Sequence, residues 1–175
     1  MDYYDILISG ISAEIYVSRI IHTRSWIAAE LSDGRYGIAL HDKLQSRERM
    51  FPTLEGLTAR KAAEAVRSWN LLEASEAMAV INAFYNTEER LDKLSARCGF
   101  DKSCTQGFST EGKKVALIGH LVLQPDALKG ASEVYIIERD PKPGDYPDSA
   151  CEYILPDCDI VIMTASAAIN KTLPR

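Results

Sequence analysis

The chain has 175 residues, 46% hydrophobic and 26% charged, the make-up of a folded globular protein and not of a disordered one. Its net charge of -5 leaves no excess of Lys and Arg to neutralise phosphates, which excludes a broad nucleic-acid surface. No apolar run approaches the roughly 18 residues of a membrane span, and the acidic opening lacks the basic start of a secretory signal. A cytoplasmic protein is expected, with Cys98, Cys104, Cys151 and Cys158 kept as thiols.

In chain order, Tyr3, Tyr4, Ile6, Leu7 and Ile11 supply the packing positions of a short amphipathic opening. Residues 14–22 alternate as a strand does, and 26–31 and 36–40 give two more. Asp33-Gly34 between the last two is a strong hairpin signal, because the favoured tight turn needs positive φ at its centre. His22 and His41 end strands of this meander, where histidines are most often solvated. Residues 42–56, charged and broken by Pro52 and Gly56, read as a surface loop. Thr58 is placed to cap a helix over 59–69, rich in alanine. A second helix over 73–85 puts Ala74, Ala77, Met78, Ile81, Phe84 and Tyr85 at three- and four-residue spacings, so one broad face should be buried. Asn82 lies beside that face, with two readings: a hydrogen bond to a neighbouring loop, or a polar group aimed into a site. A charged helical turn over 88–97 leads into 98–113, whose Gly99, Gly107 and Gly112 mark a linker.

The second half is organised differently. Residues 115–119, 134–138 and 159–163 are short, β-branched, nearly continuous apolar runs, the pattern of parallel strands covered on both faces. The segments 121–132 and 147–157 between them have room for a turn and a short helix, giving half of a doubly wound sheet. The fold class is therefore α/β with α+β: a β-β-β-α-α domain over 1–97, a linker over 98–113, and a truncated three-layer half-Rossmann domain over 114–175. Ligands of such sheets lie beyond the carboxyl ends of the strands. That edge carries Gly119, His120, Glu138, Asp140, Thr164, Ser166 and Asn170.

No G-x-G-x-x-G follows the first of these strands, which argues against a standard dinucleotide site. Glu138, 19 residues after Gly119, occupies the place of a ribose-binding acid or of a solvated strand-end charge. The loop over 138–148 is stiffened by Pro141, Pro143 and Pro147 and presents Glu138, Asp140, Asp145 and Asp148. Such a loop suits a hard cation or a polyol, or is simply a surface loop. The spacings Cys98-x5-Cys104 and Cys151-x6-Cys158 are not those of a zinc knuckle. His120, directly after a strand-end glycine, is the leading ligand or acid–base candidate, with Glu138 as its companion. Thr164, Ser166 and Asn170 bring hydroxyls and backbone N–H groups to a strand-to-helix passage, an arrangement for an anion or for a helix cap.

The stretches GKKVALIGH and VYIIERDPKPGDYPDSACEYILPDCDIVIMTASAAINKTL, with DGRYGIAL and AVINAFYN upstream, resemble the "putative heavy-metal chelation" family, bacterial and archaeal domains of unknown function. The resemblance implies an enolase-N-terminal-like domain followed by a Rossmann-like one, with a cleft between them as the site. It assigns site roles to Gly119, His120, Glu138, Asp145, Thr164 and Asn170, and to Asn82 and Asn86 of the helix. Leu121 departs from the family pattern, in which an aromatic follows Gly-His, and the chain stops at Arg175 where relatives continue with further strands.

The leading reading is a binder of a small-molecule or metal-chelate ligand, with a divalent metal as the implied cofactor. Its rivals are a nucleotide or S-adenosylmethionine binding enzyme and a non-catalytic metal carrier. No membrane or nucleic-acid partner is expected. Either a homodimer or docking of the second domain on the first is expected, the dimer being favoured, because a three-stranded half-domain leaves an open strand edge.

Overall fold

The computed structural model describes residues 2–90, 92–93, 109–121, 123 and 126–173. Cys98, Cys104 and the linker up to residue 108 lie outside the described residues. The chain is a mixed α/β protein with one antiparallel and one parallel sheet. Its contacts divide it into two compact units, Met1–Leu91 with Ser166–Pro174, and Asp92–Ala165.

The first unit opens with α1 (Tyr3–Ser9), started by a capping box in which Asp2 and Asp5 each accept the other's backbone N–H. Strands β1 (Val17–His22), β2 (Trp26–Leu31) and β3 (Tyr36–Leu40) follow as an antiparallel sheet in that order. Gly34, at φ +84°, turns β2 into β3. Helix α2 (Ala59–Ala63) is capped by Thr58, as its sequence predicts, but tightens into a 3-10 turn over Glu64–Arg67 instead of running to residue 69. The reason lies in the next residues: Ser68 accepts the Asn70 N–H, and Asn70 caps α3 (Leu71–Tyr85) by accepting from Glu73 N.

Helix α3 is buried on nearly every side, not along one face. Glu73, Ser75 and Glu76 are as enclosed as its alanines. The helix lies against the sheet closely enough that a Cβ at Gly37 of β3 would collide with Ala83 N and Ala79 O. Its charged positions are covered by the 42–56 loop, whose Met50 and Phe51 N–H groups donate to the Glu73 carboxylate at 2.8 and 2.9 Å. The core joins Ile27, Ala29 and Leu31 of β2 to Val66 and the α3 alanines. Burying these apolar side chains at roughly 1.5–3 kcal/mol for each large one is what holds the unit together.

The helical turn Ser166–Ile169 belongs to this first unit, although its sequence follows the last parallel strand. Ala168 and Ile169 enter the same core, and the Tyr4 hydroxyl donates to Ala168 O at 2.7 Å.

The second unit is a parallel sheet in the order β6-β5-β4-β7, made of β4 (Lys114–Ile118), β5 (Glu133–Glu138), β6 (Tyr146–Pro147) and β7 (Ile160–Met163). Two expectations are corrected here. The segment 121–132 holds consecutive turns over 126–130 where a helix was predicted, since Pro125 and Gly130, at φ +83°, are too close together for one. Cover of the strands is also uneven: β4 is buried on both faces at Val115, Ala116 and Leu117, whereas Val134 of β5 and Val161 and Met163 of β7 remain exposed, and the connection into β7 is the single turn α4 (Cys151–Ile154) flanked by 3-10 turns. Strand β6, two residues long, is too short to leave a periodic signal. No helix among the described residues is long and apolar enough to cross a membrane.

Candidate functional site

The carboxyl ends of β4, β5 and β7 carry the densest set of polar contacts in the second unit. Strand β4 runs out into Gly119, whose φ of +90° is natural only to glycine. A side chain there would also meet β7's exit, since an added Cβ would stand 2.7 Å from Thr164 Cγ2. Gly119 N donates to Ile137 O at 2.9 Å and Thr164 N to Ile118 O at 3.1 Å, so the three strand ends are tied together. The turn at Gly119 delivers His120 to the tip of β5. There its backbone N–H donates to Glu138 Oε1 at 2.7 Å, while the other Glu138 oxygen accepts from Arg139 N at 3.2 Å.

The His120 ring meets the proline-stiffened loop. Its Nε2 lies 2.8 Å from Asp145 Oδ2, and that oxygen also accepts the Lys142 N–H at 2.8 Å. Asp145 N donates back to Lys142 O, closing a turn that Gly144 makes at φ +101°. The Asp145 side chain is 6% exposed and that of His120 is 39% exposed, so the carboxylate forms the floor and the imidazole the opening. The Lys142 N–H, with the His120 ring, holds the Asp145 carboxyl below its ordinary range. An ionised carboxylate only accepts, so the Nε2 that meets Asp145 carries a proton.

Of the residues singled out from sequence, Gly119, His120, Glu138, Asp145 and Thr164 come together at this edge. Asn82, Asn86, Ser166 and Asn170 stand in the first unit. Asn82 Nδ2 donates to Ile38 O of β3 at 2.7 Å, and Asn86 closes α3 with its N–H on Asn82 O. Asn170 Oδ1 accepts from Thr172 N and Oγ1, and the residue borders a cavity of about 390 Å³ with Arg47, Trp69 and Leu71. Ser166 begins a helix of one turn.

The first unit also holds a polar cluster that sequence reasoning missed. His22 Nε2 lies 3.0 Å from Glu76 Oε1, Glu76 Oε2 is 2.5 Å from Arg49, and the rings of His22 and His41 are 5.4 Å apart. The strand-end positions of both histidines, on either side of β2, were the available signal.

With this geometry in place, the likeness to known proteins can be stated. Residues 4–85 match the DUF4213 family model and residues 108–175 the DUF364 model, each described as "Putative heavy-metal chelation". A protein of unknown function from the DUF364 family of Desulfitobacterium hafniense DCB-2 is 33% identical over 98% of this chain and 69% of its own, with a TM-score of 0.79. The chain belongs to the DUF364 family. A second DUF364 structure, from Pyrococcus horikoshii and also of unknown function, shares the fold at a TM-score of 0.70 with 21% identity, over 97% of this chain and 69% of that one. No curated protein matches.

The DUF364 description implies a metal, and the donors can be tested for it. Among the described residues no three of His, Cys, Asp and Glu are grouped to hold an ion. At the sheet edge Glu138 is engaged by two backbone N–H groups and Asp145 Oδ2 by two donors, which leaves one imidazole nitrogen outward. Of the described cysteines, neither adds a donor there. Cys151 is buried, and burial pushes the Cys158 thiol up while its Sγ–H donates to Ile154 O at 3.3 Å. These residues do not make a closed cage for a bare ion.

Proposed function

We propose that this DUF364 chain binds a small anionic molecule, or a metal already wrapped in a chelator, at the carboxyl edge of its parallel sheet, with His120 as the group that meets it. The observation that carries the reading is the His120–Asp145 pair. A carboxylate held from below by Lys142 N fixes the tautomer and orientation of the imidazole, the arrangement that serves either a metal ligand or a general base. A single outward nitrogen suits a complex that brings its own donors and keeps one position open, consistent with the family's chelation-related description. Glu138 holds the backbone of His120 and is its positioning partner; Thr164 and the glycine turn shape the wall.

In architecture we read the first unit as enolase-N-terminal-like and the second as a Rossmann-like half. The nucleotide reading is weakened by the engagement of both Glu138 oxygens with backbone, since an acid that holds ribose hydroxyls needs a free edge.

A thermal-shift panel tests this. Divalent metal salts, the same metals as chelates, nucleotides and S-adenosylmethionine are compared on the wild type and on His120→Ala, because a ligand that binds only the native state raises its melting temperature. Metal chelates should raise the wild-type midpoint and leave that of His120→Ala unmoved. A rise of equal size in both proteins, or a response to nucleotides alone, overturns the reading.

A further inference from the structure

The outer face of the first unit's sheet, turned away from α3, is apolar where a solvated face should be polar. In register across the strands, Ile21, Ala28 and Ile38 form one row, and Trp26 and Leu40 the next. Their large side chains are well exposed, at 38% for Ile21, 55% for Ile38, 52% for Trp26 and 42% for Leu40. An antiparallel sheet with one face on a core ordinarily alternates apolar-in with polar-out. Strand β3 breaks that rule: Gly37 and Ala39 face α3, yet Tyr36, Ile38 and Leu40 all point outward. The third row is the polar margin, where Arg19 and Glu30 pair at 3.0 Å and Tyr36 hydrogen-bonds Glu30.

We propose that this face is where a second copy of the chain docks, sheet on sheet, about a two-fold axis. The area decides for a second copy. Ile21, Trp26, Ile38 and Leu40 together expose roughly 400 Å² of apolar surface, a contiguous patch of the size that marks an interaction site. Matched to itself together with its polar margin of Arg19, Glu30 and Tyr36, the face removes on the order of 1,000 Å² from water, the lower limit for a specific interface. A two-fold arrangement lets one patch serve both copies. The dip at Ala28, between Ile21 and Ile38, is a seat for the Trp26 side chain of the other copy. The charges of the face are already paired with each other, so closing it strands no lone ion. This surface differs from the open edge of β7, to which the sequence alone points.

Sedimentation velocity on the untagged chain at micromolar concentration is the test. The wild type should sediment at twice the 19.4 kDa of one chain, and Ile38→Lys should return it to a monomer with unchanged circular dichroism. A control, Val161→Lys on β7, should remain dimeric. Should Ile38→Lys misfold, Trp69→Phe leaves Trp26 as the sole tryptophan, and its emission should shift to the red on dilution through the dissociation range. A wild-type monomer, a dimer lost in Val161→Lys but kept in Ile38→Lys, or a Trp26 emission indifferent to dilution overturns the proposal.

Discussion

Replacing Gly119 with alanine tests the construction of the site at the residue that aims His120. Two costs add. An L-residue held at φ +90° loses about 1–2 kcal/mol relative to glycine, and a new Cβ 2.7 Å from Thr164 Cγ2 must push a β-branched side chain aside, at about 1–3 kcal/mol. The lower entropy of the unfolded alanine chain returns about 0.4–1 kcal/mol, so a net loss of about 2–4 kcal/mol is expected. Thr164→Ser removes the offending methyl and separates the two costs. In the double variant the steric part should vanish and about 1–2 kcal/mol should remain, a coupling of about 1–3 kcal/mol in the mutant cycle. Both tryptophans lie in the first unit, so native-state hydrogen exchange of the β4 amides is the assay that reads the second unit. Additive effects, with no rescue by Thr164→Ser, would show that Gly119 and Thr164 do not meet and would remove the steric argument for the turn.

Three further outcomes follow from the first unit. Glu73→Ala removes the acceptor of the part-buried Met50 and Phe51 N–H groups, at about 1–3 kcal/mol in all; urea unfolding followed by tryptophan fluorescence should show the loss, and protease cutting in the 42–56 loop should rise with it. Gly37→Ala should be among the most damaging single-methyl additions in the chain, because the new Cβ meets α3 backbone, not a side chain that can move; retained wild-type stability would contradict the close approach of α3 and β3. Lys171 is held at about 8, below its ordinary 10.5, chiefly by burial, with Asp42 pulling the other way. Between those values the unfolded chain binds more protons than the folded one, so stability should rise with pH from about 8 toward 10.5, and the difference between wild type and Lys171→Met should shrink across that window. A flat difference would show that the ammonium is fully solvated.

The strands at 26–31 and 36–40 were legible because alternation and Asp33-Gly34 are local signals, and so was the capping residue Thr58. The family resemblance carried by 112–120 and 134–173 is borne out by the DUF364 match. What stayed hidden depends on distant partners. Glu73 and Glu76 look like the solvated side of an amphipathic helix until the 42–56 loop supplies two N–H groups and Arg49 to receive them. The same holds for His22, whose partner Glu76 lies on α3, beyond β2, β3 and α2 in the chain. His120 and Asp145 each stood out from sequence, but neither spacing nor composition contains the 2.8 Å contact that makes one orient the other. The cover of the parallel sheet was legible for β4, buried on both faces, and misread for its neighbours, because Val134, Val161 and Met163 belong to apolar runs that resemble fully buried strands.

The central claim, that His120 meets the ligand through Nδ1 while Asp145 orients it, is tested most directly by calorimetric titration of the untagged protein with a nickel–nitrilotriacetate complex, a chelate that keeps coordination positions open. The account predicts one-to-one binding to the wild type and to the His22→Ala/His41→Ala variant, a loss of about 10–100-fold in affinity in Asp145→Asn, and none detectable in His120→Ala. Undiminished binding by His120→Ala, or loss of binding only when His22 and His41 are removed, would contradict it.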